Sequence, residues 1–249
     1  GVTTQCNPAD ANDPDVFKII MGIPEIKPSL QDCAPLLGQF YVMTSGRTCV
    51  VGNQYDAYVS PAMIPLVLQA GARCLDFEVT SYGYSRKSFP IVTNTRNSDN
   101  VNLQHNFVLF EDVLRTVVQS WGDQYNPNPG MGADPLFLRF TLDQGLTLDS
   151  MNQMGFLIKY YFDEVRHSFL LPTHFNYQQL KTDKVNIGNF PLMFYVNHIV
   201  IMVCSPCAHV TTSLQRSYLN DVVNDLCTTT IASTSSPPVP NTTSNSVTY

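Results

Sequence analysis

The chain has 249 residues, of which 44% are hydrophobic and 14% are charged, and its formal net charge at pH 7 is −6. A chain of this length can bury a core of its own, as one large domain or two small ones. The negative balance supplies no basic surface for a nucleic acid, so we expect no nucleic-acid partner. The charged fraction lies below the usual value of about 25%. We therefore expect either that other protein subunits cover much of the surface, or that Ser, Thr and Asn side chains keep the chain soluble.

The predicted elements alternate between strands and helices along the chain. The predicted strands are residues 39–43, 73–79, 90–93, 135–140, 184–187 and 192–202. The predicted helices are residues 60–70, 107–121, 149–169 and 213–226. Alternation without hairpin signals favours parallel pairing through helical crossovers. The fold class is therefore α/β, and the strand number fits an incomplete or distorted TIM-type (β/α) barrel or an open sheet.

Neither end of the chain has the composition of a folded core. Residues 1–31 are rich in Pro, Asn and Asp and predict an extended N-terminal arm. Residues 228–249 carry no charge and are rich in Ser, Thr, Pro and Asn, so they cannot bury enough apolar area to offset their ordering entropy. We therefore place the barrel domain at residues 32–227. Since the chain begins at Gly1 and not at Met, we expect further sequence before it.

The most apolar stretch does not predict a transmembrane segment. Residues 191–204 include Asn197 and His198. The stretch is also shorter than the roughly 20 residues that a membrane-spanning helix requires. We interpret it as a buried strand.

Seven cysteines are present, and Cys204 and Cys207 form the only CxxC motif. A structural zinc site would require a second pair or a Cys/His partner at suitable spacing. His209 lies close to the motif, but no other cluster completes a ligand set. We expect the cysteines to be buried or paired, and their odd number leaves the redox compartment open.

The strand at residues 73–79 carries the most informative pattern. Its period-two alternation places Asp76 and Glu78 on one face, opposite a face of apolar residues. In a (β/α) barrel, side chains at the carboxyl ends of the strands form the active site. Asp76 and Glu78 are therefore the first candidates for chemistry.

Six segments, in this order and spacing, are similar to the X region of phosphatidylinositol-specific phospholipase C. They are FYVMTSGRTCV (40–50), AYVSPAMIPLVLQAGARCLDFEV (57–79), FPIVTNT (89–95), LFEDVLRTV (109–117), PLFLRFTLDQG (135–145) and LLPTHFNYQQLKTDKV (170–185). The similarity covers residues 39–190. It implies a phosphodiesterase barrel of the phospholipase C type.

The resemblance also implies two catalytic histidines for the cyclising cleavage of a phosphodiester. The matching positions hold Gly46 and Asn94. Glycine has no side chain and the asparagine amide does not titrate near neutral pH, so neither residue can move a proton. The resemblance thus predicts a degenerate active site and a pseudoenzyme.

The metal site that the resemblance implies is also altered. The Glu-x-Asp pair of the family is reversed as Asp76 and Glu78. A third acidic ligand falls on Thr141, and an amide ligand falls on Arg47. Two carboxylates beside an arginine are compatible with an ion pair and also with a Ca²⁺ site. We therefore predict no cofactor, with Ca²⁺ bound by Asp76 and Glu78 as the alternative.

Three functions remain open at this point. The first is a catalytically inactive domain that forms a structural or interaction component of a larger assembly, such as a minor capsid or cement protein in the virion of a large DNA virus. The second is an active metal-dependent phosphodiesterase in which Asp76 and Glu78 hold the cation and His105 acts as acid and base. The third is a lipid-headgroup-binding module in which Arg47 and Arg73 contact phosphate.

Overall fold

The computed structural model describes residues 35–52, 58–83, 88–94, 106–123, 134–164, 168–205 and 208–228. The predicted arm of residues 1–31, the candidate His105 and the tail beyond Thr228 lie outside the described residues. No helix in the described ranges combines the length and the apolar character needed to cross a bilayer.

Nine strands and five α-helices make up the described chain. The strands are β1 Thr44–Ser45, β2 Val50–Val51, β3 Tyr58–Val59, β4 Cys74–Tyr82, β5 Phe89–Val92, β6 Val108–Leu109, β7 Leu136–Leu142, β8 Ile199–Ser205 and β9 Asp225–Thr228. The helices are α1 Met63–Gln69, α2 Phe110–Val117, α3 Leu148–Lys159, α4 Tyr177–Thr182 and α5 Ala208–Gln215. Wider π-helical turns at Val118–Asp123 and Tyr160–Glu164 extend α2 and α3.

Five parallel strands lie side by side in the order in which they occur in the sequence, β1–β4–β7–β8–β9. Sequential neighbours of this kind are the arrangement of a (β/α) barrel, whereas a doubly wound sheet reverses its order at a switch point. Between the described strands no pairing joins β9 to β1, so the sheet is an open arc of a barrel. The predicted α/β class is confirmed.

The prediction of purely parallel pairing is wrong at one edge of the sheet. The second half of β4 pairs with β5 as an antiparallel hairpin, from Val79 opposite Val92 to Tyr82 opposite Phe89. Strand β6 then pairs antiparallel with β5. Only six residues, 83–88, separate β4 from β5. A parallel crossover needs about a dozen or more residues, so this connection permits only a hairpin.

Four further element predictions are wrong in type or position. Residues 192–202 are a strand only from Ile199 onward, because a 3₁₀ turn covers Leu192–Tyr195. Residues 39–43 are not a strand, because a 3₁₀ turn covers Leu37–Gln39 and β1 begins at Thr44. Residues 184–187 do not form a strand, since Lys184 adopts a left-handed backbone with φ of 57°. Residues 213–226 contain only the end of α5, and a 3₁₀ turn and β9 follow. Short apolar runs are ambiguous between helix and strand by periodicity alone.

The two faces of the sheet bury different sets of residues. The outer face carries Leu75, Phe77 and Val79 of β4, which pack with residues of the surrounding helices in the main core. The inner face is filled at the amino ends of its strands by a second apolar cluster, to which irregular segments contribute. The members of that cluster from outside the sheet include Leu37, Leu171, Phe175, Leu192 and Tyr195. Because this cluster occupies the amino ends of the strands, polar side chains occupy the inner face toward the carboxyl ends.

Helix α3 approaches the 3₁₀ turn Tyr218–Asp221 through Gly155. A Cβ at Gly155 would lie 2.5 Å from the Leu219 backbone nitrogen and closer still to the Tyr218 carbonyl carbon. We expect Gly155→Ala to lower the free energy of unfolding by about 2 kcal/mol, because overpacking forces the two backbones apart. Urea denaturation of the purified chain measures this change.

Gly46→Ala is the matched control, because no atom lies within 4 Å of a Cβ built at Gly46. We expect it to change the free energy of unfolding by less than about 0.5 kcal/mol. Equal effects of the two substitutions would show that the close approach of α3 to the turn is not a real constraint.

Candidate functional site

Polar side chains occupy the inner face of the sheet toward the carboxyl ends of the strands. Asp76 lies opposite Arg139 across β4 and β7, and Glu78 lies opposite Thr141. Thr141 in turn lies opposite Cys204 on β8. Because residues in register on neighbouring strands point to the same face, these side chains meet inside the arc. We call the following set the inner polar cluster: Arg47, Asp76, Glu78, Arg139, Thr141 and Cys204.

Glu78 is paired with Arg47. The Arg47 Nε donates to the Glu78 Oε1 at 2.8 Å, and the two side chains are only 27% and 14% exposed. Arg47 lies in the turn after β1 with a left-handed φ of 49°, a conformation that costs energy for a residue with a side chain. The guanidinium therefore lies against the carboxylate at the position where the resemblance implies an amide ligand.

The turn that presents Arg47 is held on β4 by hydrogen bonds of the Thr48 backbone and hydroxyl. The Thr48 N–H donates to the Asp76 carbonyl at 2.8 Å, and the Asp76 N–H donates to the buried Thr48 hydroxyl at 3.1 Å. The Thr48 hydroxyl itself donates to the Ser45 carbonyl at 2.9 Å. These contacts fix the turn against the strand that carries both acidic residues.

Asp76 has two polar neighbours on β7. The Thr141 hydroxyl donates to the Asp76 Oδ1 at 3.2 Å. The Arg139 Nη1 lies 3.7 Å from the same oxygen, and the Asp76 side chain is 13% exposed. The positive charge beside Asp76 therefore comes from Arg139 on the neighbouring strand, and the positive charge beside Glu78 comes from Arg47 in the turn.

The arrangement does not fit a Ca²⁺ site. Calcium takes about six to eight oxygen ligands, mainly from carboxylates, carbonyls and water. Here two carboxylates face two guanidinium groups, and a divalent cation between them would be repelled by both arginines. Throughout the described ranges, no group of three or more His, Cys, Asp and Glu side chains is placed to hold a metal ion.

The two positions that match the implied catalytic histidines lie along the same edge of β4. Gly46 directly precedes Arg47, whose side chain reaches Glu78. Asn94 follows β5, is buried, and neighbours Thr93, whose N–H donates to the Glu78 carbonyl at 3.2 Å. The structure therefore places both positions beside the strand that carries Asp76 and Glu78, and neither position holds the imidazole group that the resemblance implies.

Two described histidines place a ring nitrogen near a backbone carbonyl. The His198 Nδ1 lies 2.8 Å from the Val196 carbonyl oxygen, and the His209 Nε2 lies 3.1 Å from that of Gln144. The alternative acid and base, His105, lies outside the described residues. The relocated-catalyst hypothesis therefore gains no support from these contacts.

The structure does not bring Arg73 to the cluster. Arg73 precedes β4, and its Nε donates to the Asp134 Oδ2 at 3.0 Å. Glu78 lies five positions further along the chain, which corresponds to about 16 Å along an extended strand. It lies beside an apolar cavity of about 280 Å³ at the amino ends of the strands. Arg47 and Arg73 thus do not form one phosphate site.

Sequence reasoning missed Arg139 and Cys204 as members of the cluster. The Arg139 Nε donates to the Cys204 Sγ at 3.1 Å. Hydrogen bonds from the Cys227 thiol and then from Arg139 lower the pKa of Cys204 to about 6, although burial opposes them. One available signal was the single charged residue in the apolar run 135–140, because a charge in a buried strand requires a partner.

Comparisons with known proteins support the fold. No protein-family profile matches the chain, and no curated protein matches it by sequence. By structure, the chain is similar to PLC21 of S. officinalis with a TM-score of 0.50 and 15% identity, over 77% of this chain and 24% of that one. The chain therefore spans about a quarter of that protein's length.

Two bacterial structures are also similar. A calcium-dependent phosphoinositol-specific phospholipase C from a Gram-negative Pseudomonas sp. has a TM-score of 0.48 and 12% identity, over 82% of this chain and 71% of that one. A Ca²⁺-dependent phosphatidylinositol-specific phospholipase C from Streptomyces antibioticus has a TM-score of 0.42 and 13% identity, over 78% and 66%. The likeness to solved structures shows the fold alone, and the predicted phospholipase C-like phosphodiesterase fold is confirmed.

The ion pair between Arg47 and Glu78 can be tested by a double-mutant cycle. We expect Arg47→Met to lower the free energy of unfolding by about 1–2 kcal/mol, because Glu78 loses its guanidinium in a mostly buried position. Combining it with Glu78→Gln should recover part of this loss, which gives a coupling energy of about 1 kcal/mol in urea denaturation.

Arg115→Met is the control for this cycle, since Arg115 pairs with Glu111 on the surface of α2, where its side chain is 49% exposed. We expect it to cost less than about 0.5 kcal/mol. Strict additivity of the Arg47 and Glu78 substitutions would contradict the pairing.

Proposed function

We propose that this chain is a catalytically inactive domain of phospholipase C-like fold that acts as a structural or interaction component of a larger protein assembly. The observation that carries the proposal is the composition of the inner polar cluster. Gly46 and Asn94 hold the two positions of the implied histidines, and arginines neutralise both implied metal ligands. The fold is therefore kept while the groups that its chemistry needs are replaced.

The absence of an imidazole at Gly46 and Asn94 removes the proton transfer that cyclising cleavage requires. The attacking hydroxyl must lose a proton and the leaving oxygen must gain one, and a group that titrates near neutral pH does both efficiently. An asparagine amide can donate a hydrogen bond but cannot accept and return a proton. A chain that relied on Asn94 could orient a hydroxyl but could not activate it.

The two arginines favour a structural interpretation of the acidic pair. An ion pair that is mostly buried is stable only when its geometry is good and the remaining polar atoms are satisfied. The Arg47–Glu78 pair meets this condition through a 2.8 Å hydrogen bond, and Asp76 receives a further bond from Thr141. We therefore propose that Asp76 and Glu78 hold the turn after β1 and strand β7 together, and that no cation binds between them.

The exposed surface supports an interaction role. Tyr41 is fully exposed, and the exposed rings of Phe156 and Tyr160 stack with centroids 6.3 Å apart. The rings of Tyr82 and Phe107, also exposed, lie 4.8 Å apart. Aromatic side chains with few charges are typical of the centre of a protein interface. The assembly that we propose is the virion of a large DNA virus, with this chain as a minor capsid or cement protein.

Catalytic inactivity can be tested with vesicles of phosphatidylinositol in the presence of Ca²⁺. We expect the purified chain to release inositol phosphate no faster than a blank without protein, because no residue at the two catalytic positions moves a proton. Asp76→Ala is the matched control and should behave identically. Turnover that Asp76→Ala abolishes would contradict the proposal and establish the metal-dependent phosphodiesterase instead.

Membership of an assembly can be tested by quantitative mass spectrometry of particles purified on a density gradient from the source of the chain. We expect the chain to keep a fixed molar ratio to the main shell protein across the particle peak, because a built-in subunit has a fixed stoichiometry. Chain that stays in the soluble fractions would contradict the assembly proposal. Calorimetric binding of inositol phosphate that Arg47→Met abolishes would favour the headgroup-binding alternative.

A further inference from the structure

Two cysteines face each other at the edge of the inner polar cluster. Cys204 on β8 lies directly opposite Cys227 on β9, in a parallel pairing that places both side chains on one face. Neighbouring strands lie about 4.8 Å apart. Disulfides join residues whose Cα atoms are about 4.4 to 6.8 Å apart. Both cysteines are free thiols in the structure, so the pair has the spacing of a disulfide without the bond.

The surroundings make the two sulfur atoms unequal. Cys204 accepts a hydrogen bond from Arg139. The facing Cys227 thiol and this guanidinium both lower the pKa of Cys204. The Cys227 sulfur also lies 4.0 Å from the Asp225 Oδ2, a second acceptor for its proton. The pKa of Cys227 is raised, first by its hydrogen bond to Cys204 and then by burial. A thiolate beside a protonated thiol is the arrangement of a nucleophilic cysteine with a resolving partner.

The other described cysteines lack this combination. Burial alone raises the pKa of Cys49 to about 12. Cys74 lies on β4, which is separated from β8 by β7, so it is too far from Cys204 for a bond. Such thiols are expected to stay inert toward oxidants.

We propose that Cys204 and Cys227 are a redox modification site that forms a reversible disulfide on exposure to a peroxide. Cys204 is almost fully buried, with 2% of the residue exposed, whereas Cys227 is half-buried. A peroxide as small as hydrogen peroxide suits this confined position better than a bulky disulfide reagent does.

The reaction balances in two steps. The Cys204 thiolate attacks one peroxide oxygen, so that an S–O bond forms, the O–O bond breaks and hydroxide leaves to take a proton from solvent. The Cys227 thiol then attacks the sulfenic sulfur of Cys204, so that the S–S bond forms and the S–O bond breaks. The departing hydroxide takes the Cys227 proton. Two thiols are oxidised by two electrons, and one peroxide is reduced to two waters.

Oxidation connects to the inner polar cluster through Arg139. In the reduced form, Arg139 donates to Cys204 and also lies 3.7 Å from Asp76. A disulfide sulfur carries no negative charge, so Asp76 becomes the remaining anion beside the guanidinium. The same bond ties β9 covalently to β8, its one neighbour among the described strands. The modification thus tightens the strand from which residues 229–249 continue.

The proposal is tested on the full chain by treatment with hydrogen peroxide, alkylation of the remaining thiols and mass spectrometry of the unreduced digest. We expect a peptide pair linked through Cys204 and Cys227 that a dithiol reductant dissociates. Cys204→Ser and Cys227→Ser should each abolish it. Cys49→Ser, the matched control, should leave it unchanged. A link between Cys204 and Cys207, or the absence of any link to Cys227, would overturn the proposal.

The role of Arg139 is tested by the rate of bond formation. Because the guanidinium favours the thiolate, we expect Arg139→Met to slow formation of the Cys204–Cys227 bond at neutral pH by roughly tenfold. Arg139→Lys keeps a positive charge and should recover part of the rate, which separates the electrostatic effect from misfolding. Equal rates in the wild-type chain and in a folded Arg139→Met variant would contradict this role.

Discussion

The inner face of the sheet has to neutralise two acidic side chains that one strand places side by side. Asp76 and Glu78 are 13% and 14% exposed, and a carboxylate in such a position is costly without a partner of opposite charge. The turn after β1 and strand β7 each supply one arginine for this purpose. This requirement accounts for the guanidinium groups beside the two carboxylates, whereas hydrogen bonds of Thr48 fix the position of the turn itself.

The same requirement separates structural use of the acidic pair from catalytic use. A cation site needs carboxylates whose charge is left available to the metal, whereas a guanidinium within 2.8 Å already takes up the charge of Glu78. Arg47 therefore does the electrostatic work that a bound cation would otherwise do, and it does so permanently, because it belongs to the chain. The pairing with Arg47 is the contact on which our proposal of a structural role for Glu78 rests.

How far the sequence predicts this molecule depends on whether a feature is local. The alternation at residues 73–79 correctly predicted β4 and its two faces, because a period of two is visible within one strand. The β4–β5 hairpin was missed although the six-residue connection allows nothing else. The contacts of Asp76 with Arg139 and Thr141 could not be predicted, since they depend on the register between β4 and β7, and an offset of one residue would reverse every face.

The division of the sheet into two faces explains how the fold persists at 15% identity to PLC21 of S. officinalis. Leu75, Phe77 and Val79 pack outward into the main core, and that packing is independent of which polar groups face inward. Substitution of the polar side chains on the inner face therefore leaves the strand order and the helix packing unchanged, provided that the charges on that face remain balanced. An arginine beside a carboxylate keeps this balance without any metal, as Arg47 does for Glu78. The outer face of these strands therefore determines the packing of the fold. The polar side chains of the inner face are the ones from which a function has to be argued.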